Sequence, residues 1–317
     1  MSKIVVSNSD YSTTRTLYKA EPARIAAELK TACKKKDTFK TLLFLPEGKG
    51  RQGEGGLRTQ GYFKKSCANQ PLITVVTVVF NGEQFIEETI LSVINQTYHN
   101  VEYIIIDGGS TDATLDVVRK YEHAIDYWVS EKDSGIYDAM NKGIDLATGN
   151  WINFMNAGDT FFEQKILYAV FNGSVYKNVD VLYGNHQIIY PSGRKCLVKA
   201  GNIKNLWKGS QFCHQASFIR SSYHKQHKFN LCIKIAADFN FFYAAQKNQI
   251  SFNSLDQTIA TFKAGGFSDK NRINTILEWW LLVDKSLKND VYYTYRILYE
   301  EIKRLINSVK KYLYEAL

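Results

Sequence analysis

The stretch that decides the fold is PLITVVTVVFNGEQFIEETILSVINQTYHNVEYIIID, residues 71–107. Leu72–Phe80 is apolar and rich in β-branched residues, which is typical of a buried strand. Glu83–Gln96 places its apolar residues at intervals of three and four, which predicts a helix. Val101–Ile106 is a second buried strand, and it ends at Asp107. A strand, a helix and a strand at this spacing predict a βαβ unit.

The same alternation continues along the chain. Tyr127–Val129 and Trp151–Met155 have the composition of strands, and Tyr137–Ala147 between them has the spacing of a helix. These elements predict an α/β fold of the Rossmann-like kind with a mainly parallel sheet. Right-handed crossovers bring the carboxyl ends of parallel strands to one edge of the sheet, where ligands of open α/β sheets bind.

The residues before this core are basic and less regular. Glu21–Lys36 has helical spacing, and Leu42–Leu45 is short and apolar enough to predict a strand. The stretch Gly48–Gly61 is dense in glycine, which indicates a loop.

The chain after Asn271 predicts helices, first at Ile273–Leu287 and then at Val291–Ala316. The second has apolar residues every three or four positions with lysine and arginine between them, as in a basic amphipathic helix. Such a face either packs on the core or binds a membrane surface. The patterns together predict three regions: a basic N-terminal extension at 1–70, an α/β domain at 71–270 and a C-terminal amphipathic helical segment at 271–317.

Composition excludes several classes of protein. Of the 317 residues, 45% are hydrophobic and 22% are charged, which argues against wholesale disorder. No apolar run approaches the roughly 18 residues that a membrane span needs, and the first residues lack the apolar centre of a signal peptide. The five cysteines form no Cys-x-x-Cys pair, which fits free thiols in a reducing cytosol.

The net charge of +9 is concentrated at the two ends of the chain. Residues 1–70 contribute +8, residues 71–270 contribute −1 and residues 271–317 contribute +2. A nucleic-acid enzyme more often carries a basic stripe across its main domain, so no nucleic-acid partner is expected. Basic ends suit an anionic membrane surface, and the alternative is that they serve solubility alone.

Groups suited to ligand binding follow the four predicted strands at their carboxyl ends. They are Thr77, Phe80 and Asn81 after the first strand, Asp107 after the second, Glu131 and Asp133 after the third, and Asp159 after the fourth. Any one of them is also explained as a loop residue, since Asp and Asn favour turns. The chain lacks both the glycine fingerprint of dinucleotide sites and the Walker sequence, which disfavours a dehydrogenase or a P-loop NTPase.

These blocks resemble the family 2 glycosyltransferases, enzymes with a GT-A fold. The likeness is carried by ITVVTVVFNGEQFIEETILSVINQTY, VEYIIIDGGSTDATLDVVRKY and SEKDSGIYDAMNKGIDLATGNWINFMNAGD, and it extends from about Pro71 to Ser268. The branch it resembles is the bacterial one that builds O-antigen and other surface polysaccharides. The stretch GEGGLRTQGYFKKS is similar to the extension of enzymes that add the second sugar to N-acetylglucosamine on undecaprenyl diphosphate.

The resemblance implies a nucleotide site at the first two strands. Thr77, Val79, Phe80 and Asn81 match the family's first nucleotide loop. Phe80 is expected to stack on uracil, and Asp107 is expected to accept the N3 hydrogen of that base.

The resemblance also implies a donor-sugar and diphosphate segment. Asp133, Asn141 and Lys142 match that segment, although Lys142 is alternatively a solvated lysine on its helix. Asp159 falls at the family's metal motif, where this chain has Gly158 in place of one carboxylate. The implied cofactor is Mn²⁺ or Mg²⁺, which prefers oxygen ligands and takes several from a diphosphate. The alternative for Asp159 is a helix cap.

The expected base is Asp238, in KIAADFNFFYAA, which matches the family's acidic block after the acceptor loop. Inverting transfer needs a carboxylate that takes the proton of the attacking hydroxyl. The alternative is an N-cap or a buried ion pair. His214, in FCHQASFIR, matches a His-Gln block near the acceptor site and is alternatively a structural residue.

The resemblance therefore predicts an inverting transferase that takes a hexose, galactose or glucose, from a UDP-sugar. The expected acceptor is a lipid-linked saccharide, N-acetylglucosamine on undecaprenyl diphosphate, at the cytoplasmic face of the inner membrane. Two other classes stay open on the residues alone. One is a non-catalytic nucleotide-sugar-binding protein, which the glycine at 158 favours, and the other is a nucleic-acid-binding protein, which only the basic isoelectric point suggests.

Overall fold

The computed structural model describes residues 11–32, 40–48, 50–67, 69–174 and 176–315. The strands are β1 Tyr18–Lys19, β2 Gly53–Gly55, β3 Tyr62–Phe63, β4 Ile73–Val79, β5 Val101–Asp107, β6 Tyr127–Ser130, β7 Trp151–Phe154, β8 Thr160–Phe161, β9 Val181–Ile189, β10 Lys195–Val198, β11 Ser217–Arg220 and β12 Phe252–Lys263. The α-helices are α1 Pro22–Ala32, α2 Ile86–Ile94, α3 Thr114–Lys120, α4 Ile136–Leu146, α5 Ile166–Phe171, α6 Ser221–Gln226, α7 Ala237–Lys247, α8 Phe267–Lys270, α9 Arg272–Leu282 and α10 Leu287–Glu315.

One sheet of ten strands organises the molecule. Its order is β2-β6-β5-β4-β7-β11-β9-β12-β8, with β10 paired to β9. The four strands β6, β5, β4 and β7 are parallel to one another, whereas β11 runs antiparallel to both of its neighbours. The predicted α/β fold with a mainly parallel sheet is confirmed, and the four strands predicted from composition are the ones that form its parallel half.

The sheet is covered on both faces, which explains why β4 and β5 are apolar throughout. Every residue of both strands is buried. Side chains alternate between faces along a strand, so Ile73 and Val75 pack on the side of α2 and α3, whereas Val76 and Val78 pack on the side of α4 and α7. Gly143 allows the close approach of α4, because a methyl group there would lie 2.4 Å from Val76 Cγ1.

Two predictions for the N-terminal region are wrong. The chain bends at Leu42–Leu45 instead of forming a strand, and the Leu42 amide donates to the Asp145 carbonyl at the end of α4. The glycine-rich stretch Gly48–Gly61 contains β2, which adds to the sheet edge antiparallel to β6. The reason is buried ion pairing: Arg58 donates to Glu102 at 2.6 Å and to two backbone carbonyls, which draws the segment onto the domain.

The helix after β5 begins at Thr114. Ser110, which precedes it, donates to Asp107, and the Asp112 carboxylate accepts the Thr114 amide at 3.0 Å where the helix starts.

The C-terminal helices begin on the core and then leave it. Ile276 and Trp279 of α9 and Tyr293 of α10 are buried against the α4 and α7 side of the sheet. Ile297 still packs partly on the core, whereas the exposed apolar residues of α10 beyond it are Leu298, Tyr299, Ile302, Leu305, Ile306 and Val309. The first part of α10 therefore packs on the core, and the membrane alternative for the rest stays a prediction. Among the described residues no helix is long and apolar enough to cross a membrane. The predicted end at Ala316 lies outside the described residues.

Candidate active site

The loop after β4 presents only part of the predicted nucleotide site. Thr77 is fully buried and donates its hydroxyl to the Met155 carbonyl at 2.7 Å. Val79 packs in the core. Phe80, by contrast, is 64% exposed at the carboxyl edge of the sheet. Asn81 has a φ of 49°, and its side-chain oxygen accepts the Thr111 amide at 2.9 Å. Phe80 is therefore the residue of this loop that is free to contact a base.

Asp107 is positioned at the end of β5 but is only 1% exposed. Its Oδ2 accepts hydrogen bonds from the Gly109 amide at 3.1 Å, the Ser110 amide at 2.9 Å and the Ser130 hydroxyl at 2.6 Å. The Ser110 hydroxyl occupies Oδ1. Since a carboxylate offers about four acceptor sites, Asp107 is mainly the organiser of the loop, and its predicted contact with uracil stays a prediction.

Asp133 lies directly beside the turn that follows β5. A side chain at Gly108 would come within 2.5 Å of Asp133 Oδ2, so only glycine leaves room for this approach. Burial raises the pKa of Asp133, and the neighbouring carboxylates of Asp138 and Asp107 add to that effect. The carboxyl ends of β5 and β6 thus form one acidic corner.

Lys142 is held at the same edge by an ion pair with Glu131 at 2.8 Å. Glu131 also pairs with Arg51 of the N-terminal region at 2.7 Å. Although burial favours the neutral acid, the hydrogen bonds from Lys142 and Arg51 lower the pKa of Glu131. Asn141 faces away from this group, because its amide both donates to and accepts from the backbone of Phe229, at 2.9 and 3.0 Å.

Asp238, the expected base, lies in the first turn of α7 within hydrogen-bond distance of two polar side chains. His214 Nδ1 lies 3.2 Å from its Oδ2. The one proton of the Tyr137 hydroxyl is shared between the Ile235 carbonyl at 2.6 Å and Asp238 Oδ1 at 3.1 Å. Burial alone would favour the neutral acid, but the His214 and Tyr137 contacts and the Phe239 amide hold the pKa of Asp238 below its usual range. The residue is therefore a carboxylate at neutral pH.

His214 joins this carboxylate to the NAGD motif. Its Nε2 lies 3.1 Å from Asn156 Nδ2. Because Nδ1 faces the Asp238 carboxylate, the neutral ring carries its proton there and accepts from the Asn156 amide at Nε2. The next residue, Gln215, donates to Asp159 Oδ2 at 2.7 Å. The short helical turn His214–Ala216 thus connects the predicted base and the predicted metal residue.

The NAGD motif keeps two oxygen atoms for a hard cation. Asp159 retains one carboxylate oxygen beyond its bond with Gln215, and Asn156 Oδ1 is buried with no hydrogen-bond partner among the described residues. Burial raises the pKa of Asp159 to about 6. Residues 11–32, 40–48, 50–67, 69–174 and 176–315 contain no group of three His, Cys, Asp or Glu side chains that could hold a metal alone. The donor set fits a cation that takes its other ligands from a diphosphate.

The predicted residues therefore fall into three sets. His214 bonds to Asp238, and its neighbour Gln215 bonds to Asp159, which connects the first set. Phe80, Asp107 and Asp133 lie at the carboxyl ends of β4 to β6, and Lys142 of α4 reaches that edge through Glu131. Thr77 and Val79 face the core, and the side chains of Asn81 and Asn141 bind the backbone. Sequence reasoning missed Tyr137, Asn156, Gln215 and Arg51; the first three stand inside the quoted motif blocks, which was the signal available.

Comparison with known proteins bears on these assignments. The family model described as Glycosyl transferase family 2 matches residues 74–231. A PGL/p-HBAD biosynthesis glycosyltransferase of Mycobacterium bovis is 32% identical over 179 residues, which are 54% of this chain and 68% of that protein. An uncharacterized glycosyltransferase of Mycobacterium tuberculosis is 33% identical over 184 residues, covering 54% of this chain and 67% of that protein.

Solved structures agree on the fold. TarS of S. aureus, residues 1–349 in complex with UDP-GlcNAc, has a TM-score of 0.52 at 17% identity over 72% of this chain and 71% of that one. The mannosyltransferase PcManGT of Pyrobaculum calidifontis, in complex with GDP-Man and Mn²⁺, has a TM-score of 0.54 at 14% identity over 73% and 70%. At sequence identities this low, the similarity of the structures supports the fold alone, which is GT-A. The sequence relatives supply the rest: the chain belongs to glycosyl transferase family 2 and is a glycosyltransferase.

Proposed function

We propose that the protein is an inverting hexosyltransferase that uses a UDP-sugar and acts on a lipid-linked saccharide. The proposed acceptor is N-acetylglucosamine on undecaprenyl diphosphate, and the proposed pathway is the synthesis of O-antigen or a related surface polysaccharide. The observation that carries the proposal is the ionised Asp238, held by His214 and Tyr137 next to the NAGD motif.

The proposed chemistry is a single displacement. The acceptor hydroxyl oxygen attacks the anomeric carbon of the donor while the bond from that carbon to the diphosphate oxygen breaks. Asp238 takes the hydroxyl proton, and UDP leaves with the bonding electron pair. His214 contacts one oxygen of Asp238 and Tyr137 contacts the other. Each carboxylate oxygen therefore keeps a lone pair that can accept the incoming proton. One displacement inverts the anomeric configuration.

Asp159 and Asn156 are the residues proposed to hold Mn²⁺ or Mg²⁺. Such a cation, when bound with the donor, supplies charge neutralisation on the diphosphate. Gln215 fixes the orientation of the Asp159 carboxylate, and His214 fixes the Asn156 amide. The carboxylate that is missing at Gly158 leaves the site with less negative charge than the usual motif.

A uridine donor is proposed from the edge of β4 and β5. Phe80 offers an exposed ring for stacking, and the Asp107 loop beside it is rigid through its own hydrogen bonds. The TarS structures of the same fold were solved with UDP and with UDP-GlcNAc, which supports a uridine diphosphate donor here. Asp133 and Lys142 are proposed to line the sugar and diphosphate side. Nucleic acid is not a proposed partner.

The proposed place of action is the cytoplasmic face of the inner membrane, and α10 is the proposed contact. Its exposed apolar residues form a stripe at intervals of three and four: Val291, Tyr295, Leu298, Ile302, Leu305 and Val309. Lys303 and Arg304 lie beside this stripe, where they pair with Glu300 at 3.9 Å and with Glu301 at 3.0 Å. An amphipathic helix of this kind lies in the interface of an anionic membrane.

The basic residues of the N-terminal region support membrane binding less than the sequence suggested. Several of the basic residues described there pair with carboxylates: Arg24, Arg51, Arg58, Lys64 and Lys65. Others, at residues 1–10 and 33–39, lie outside the described residues. The proposed regions 1–70, 71–270 and 271–317 remain the working division, with the first adding the edge strand β2 to the second.

The test is a donor panel. Purified protein is incubated with UDP-glucose, UDP-galactose, UDP-GlcNAc and GDP-mannose, each with synthetic N-acetylglucosamine-diphosphate-lipid, and transfer is followed by mass spectrometry. The proposal expects a hexose adduct from a UDP-hexose. Transfer only from the GDP-sugar would overturn the donor, and transfer to water alone would overturn the acceptor.

A further inference from the structure

Lys263 is the last residue of β12, and the strand beside that end of β12 is the one that follows the metal motif. In the antiparallel pair of β12 and β8, Ala260 lies opposite Phe161 and Thr261 lies opposite Thr160. β8 begins directly after Asp159, so the end of β12 runs toward the motif that has lost a carboxylate.

The contacts of Lys263 agree with this placement. Its Nζ lies 5.9 Å from the centroid of the Phe85 ring. Phe85 is also the side chain nearest to Gly158, because a methyl group built on that glycine would lie 3.6 Å from Phe85 Cβ. Lys263 and Asp159 interact electrostatically as well. Phe85, Gly158, Asp159 and Lys263 thus form one cluster at the edge where the donor diphosphate is expected.

The ion pair between Lys263 and Glu88 competes only weakly with binding of a diphosphate by Lys263. Its Nζ pairs with Glu88 at 2.5 Å, but the two side chains are 46% and 52% exposed. Exposed ion pairs of this kind contribute little, because water and salt screen them. A diphosphate carries more negative charge than one carboxylate and offers several acceptor oxygens.

We propose that Lys263 binds the diphosphate of the sugar nucleotide, exchanging Glu88 for phosphate oxygens when the donor enters. The assignment rests on the function proposed above. As the bond to the sugar breaks, negative charge grows on the leaving diphosphate, and a fixed ammonium stabilises it there. Because the motif has one carboxylate fewer, it holds a metal less strongly. Lys263 then supplies part of the positive charge at the diphosphate.

The test compares binding of UDP with binding of uridine, by isothermal titration calorimetry with Mn²⁺ and again with EDTA. The variants are Lys263→Ala and Glu88→Gln, with Lys247→Ala as the matched control. Lys247 is a suitable control because it is 51% exposed and pairs with Asp284 at 2.6 Å, on another part of the surface. Thermal melting checks that all variants are folded.

Lys263→Ala is expected to weaken UDP binding about tenfold in both buffers, the loss typical of one charge-assisted hydrogen bond, and to leave uridine binding unchanged. Glu88→Gln is expected to strengthen UDP binding, and Lys247→Ala to match the wild type. Equal UDP affinity in Lys263→Ala and wild type, or an equal loss for uridine, overturns the role of Lys263 while the donor proposal stands. A wild type that binds no UDP overturns the proposed donor and this assignment together.

Discussion

His214 and Tyr137 help to keep Asp238 ionised, as a general base must be. Asp238 is therefore the first residue to substitute. Asp238→Asn preserves the shape of the side chain and its contact with Tyr137 but removes the proton acceptor. Loss of a general base typically costs about 10²- to 10⁴-fold in rate, so kcat is expected to fall at least 100-fold. UDP affinity is expected to stay within about twofold, because the role proposed for Asp238 is toward the acceptor and not the donor.

Two measurements check this prediction: kcat with saturating substrates, and UDP binding by calorimetry. Asp284→Asn is the control, since Asp284 is an exposed aspartate that pairs with Lys247. Collapse of UDP binding with a high residual rate would place the base elsewhere.

Asp159 predicts a pH dependence of metal binding. Burial raises its pKa to about 6, so the carboxylate is protonated below that pH and ionised above it. A proton that competes with a metal for one ligand weakens binding about tenfold per pH unit below the pKa. Mn²⁺ binding to the UDP complex, followed by electron paramagnetic resonance, is therefore expected to be about tenfold weaker at pH 5 than at pH 7.

The phosphate of UDP titrates in the same range, so Asp159→Asn is the necessary control. That variant is expected to bind Mn²⁺ weakly at both pH values, with a smaller change between them. Transfer that proceeds undiminished in excess EDTA would contradict the metal role of Asp159.

Some residue roles were readable from the sequence and others were not. Asp159, His214 and Asp238 were predicted from motif blocks, and the structure links them by hydrogen bonds. The connection itself was not predictable, because it depends on the register of β11 against β7, which brings residues about 60 positions apart together. Thr77 was predicted to belong to the nucleotide loop, but its hydroxyl donates to the Met155 carbonyl inside the core.

At the scale of elements, the contact of α4 with β4 predicts a measurable loss of stability. Gly143→Ala gains about 1 kcal/mol of helix propensity. The added methyl group, however, would lie 2.4 Å from Val76 Cγ1, and a β-branched side chain in a central strand has little freedom to move. Overpacking of this kind costs about 1–3 kcal/mol, so a net destabilisation of about 1 kcal/mol is expected.

Urea unfolding measures this change. Gly266→Ala is the matched control, since a methyl group at Gly266 meets nothing within 4 Å and its φ is −64°. A Gly143→Ala protein as stable as the wild type would mean that α4 shifts to relieve the contact.

The elements found from sequence are the ones with their own periodic pattern. The parallel strands are runs of apolar residues, and α2, α4, α9 and α10 repeat their apolar residues every three or four positions. The structure places these helices and strands within a few residues of the predicted bounds. β2 was not predictable, because its residues Gly53–Gly55 carry no apolar pattern. Their strand conformation comes from the partner β6 and from the buried pair of Arg58 with Glu102.

At the scale of the molecule, the exposed stripe of α10 predicts membrane binding. The triple variant Leu298→Gln, Ile302→Gln and Leu305→Gln removes apolar area that the folded protein does not bury, so folding should be unaffected. Binding to vesicles with anionic lipid is expected to fall at least tenfold, because apolar burial drives insertion of such helices.

Vesicle flotation checks this prediction. Leu197→Gln is the control, since Leu197 is an equally exposed apolar residue on β10. A wild type that fails to bind anionic vesicles even at low salt would contradict the membrane proposal without touching the transferase activity.

The central claim is that Asp238 drives one displacement at the anomeric carbon, and the configuration of the product tests it most directly. The measurement is proton NMR of the initial product formed from an α-linked UDP-hexose and N-acetylglucosamine-diphosphate-lipid. A single displacement gives a β-linked hexose from the first turnovers. An α-linked product would require two displacements or a front-face reaction, and it would contradict the role given to Asp238.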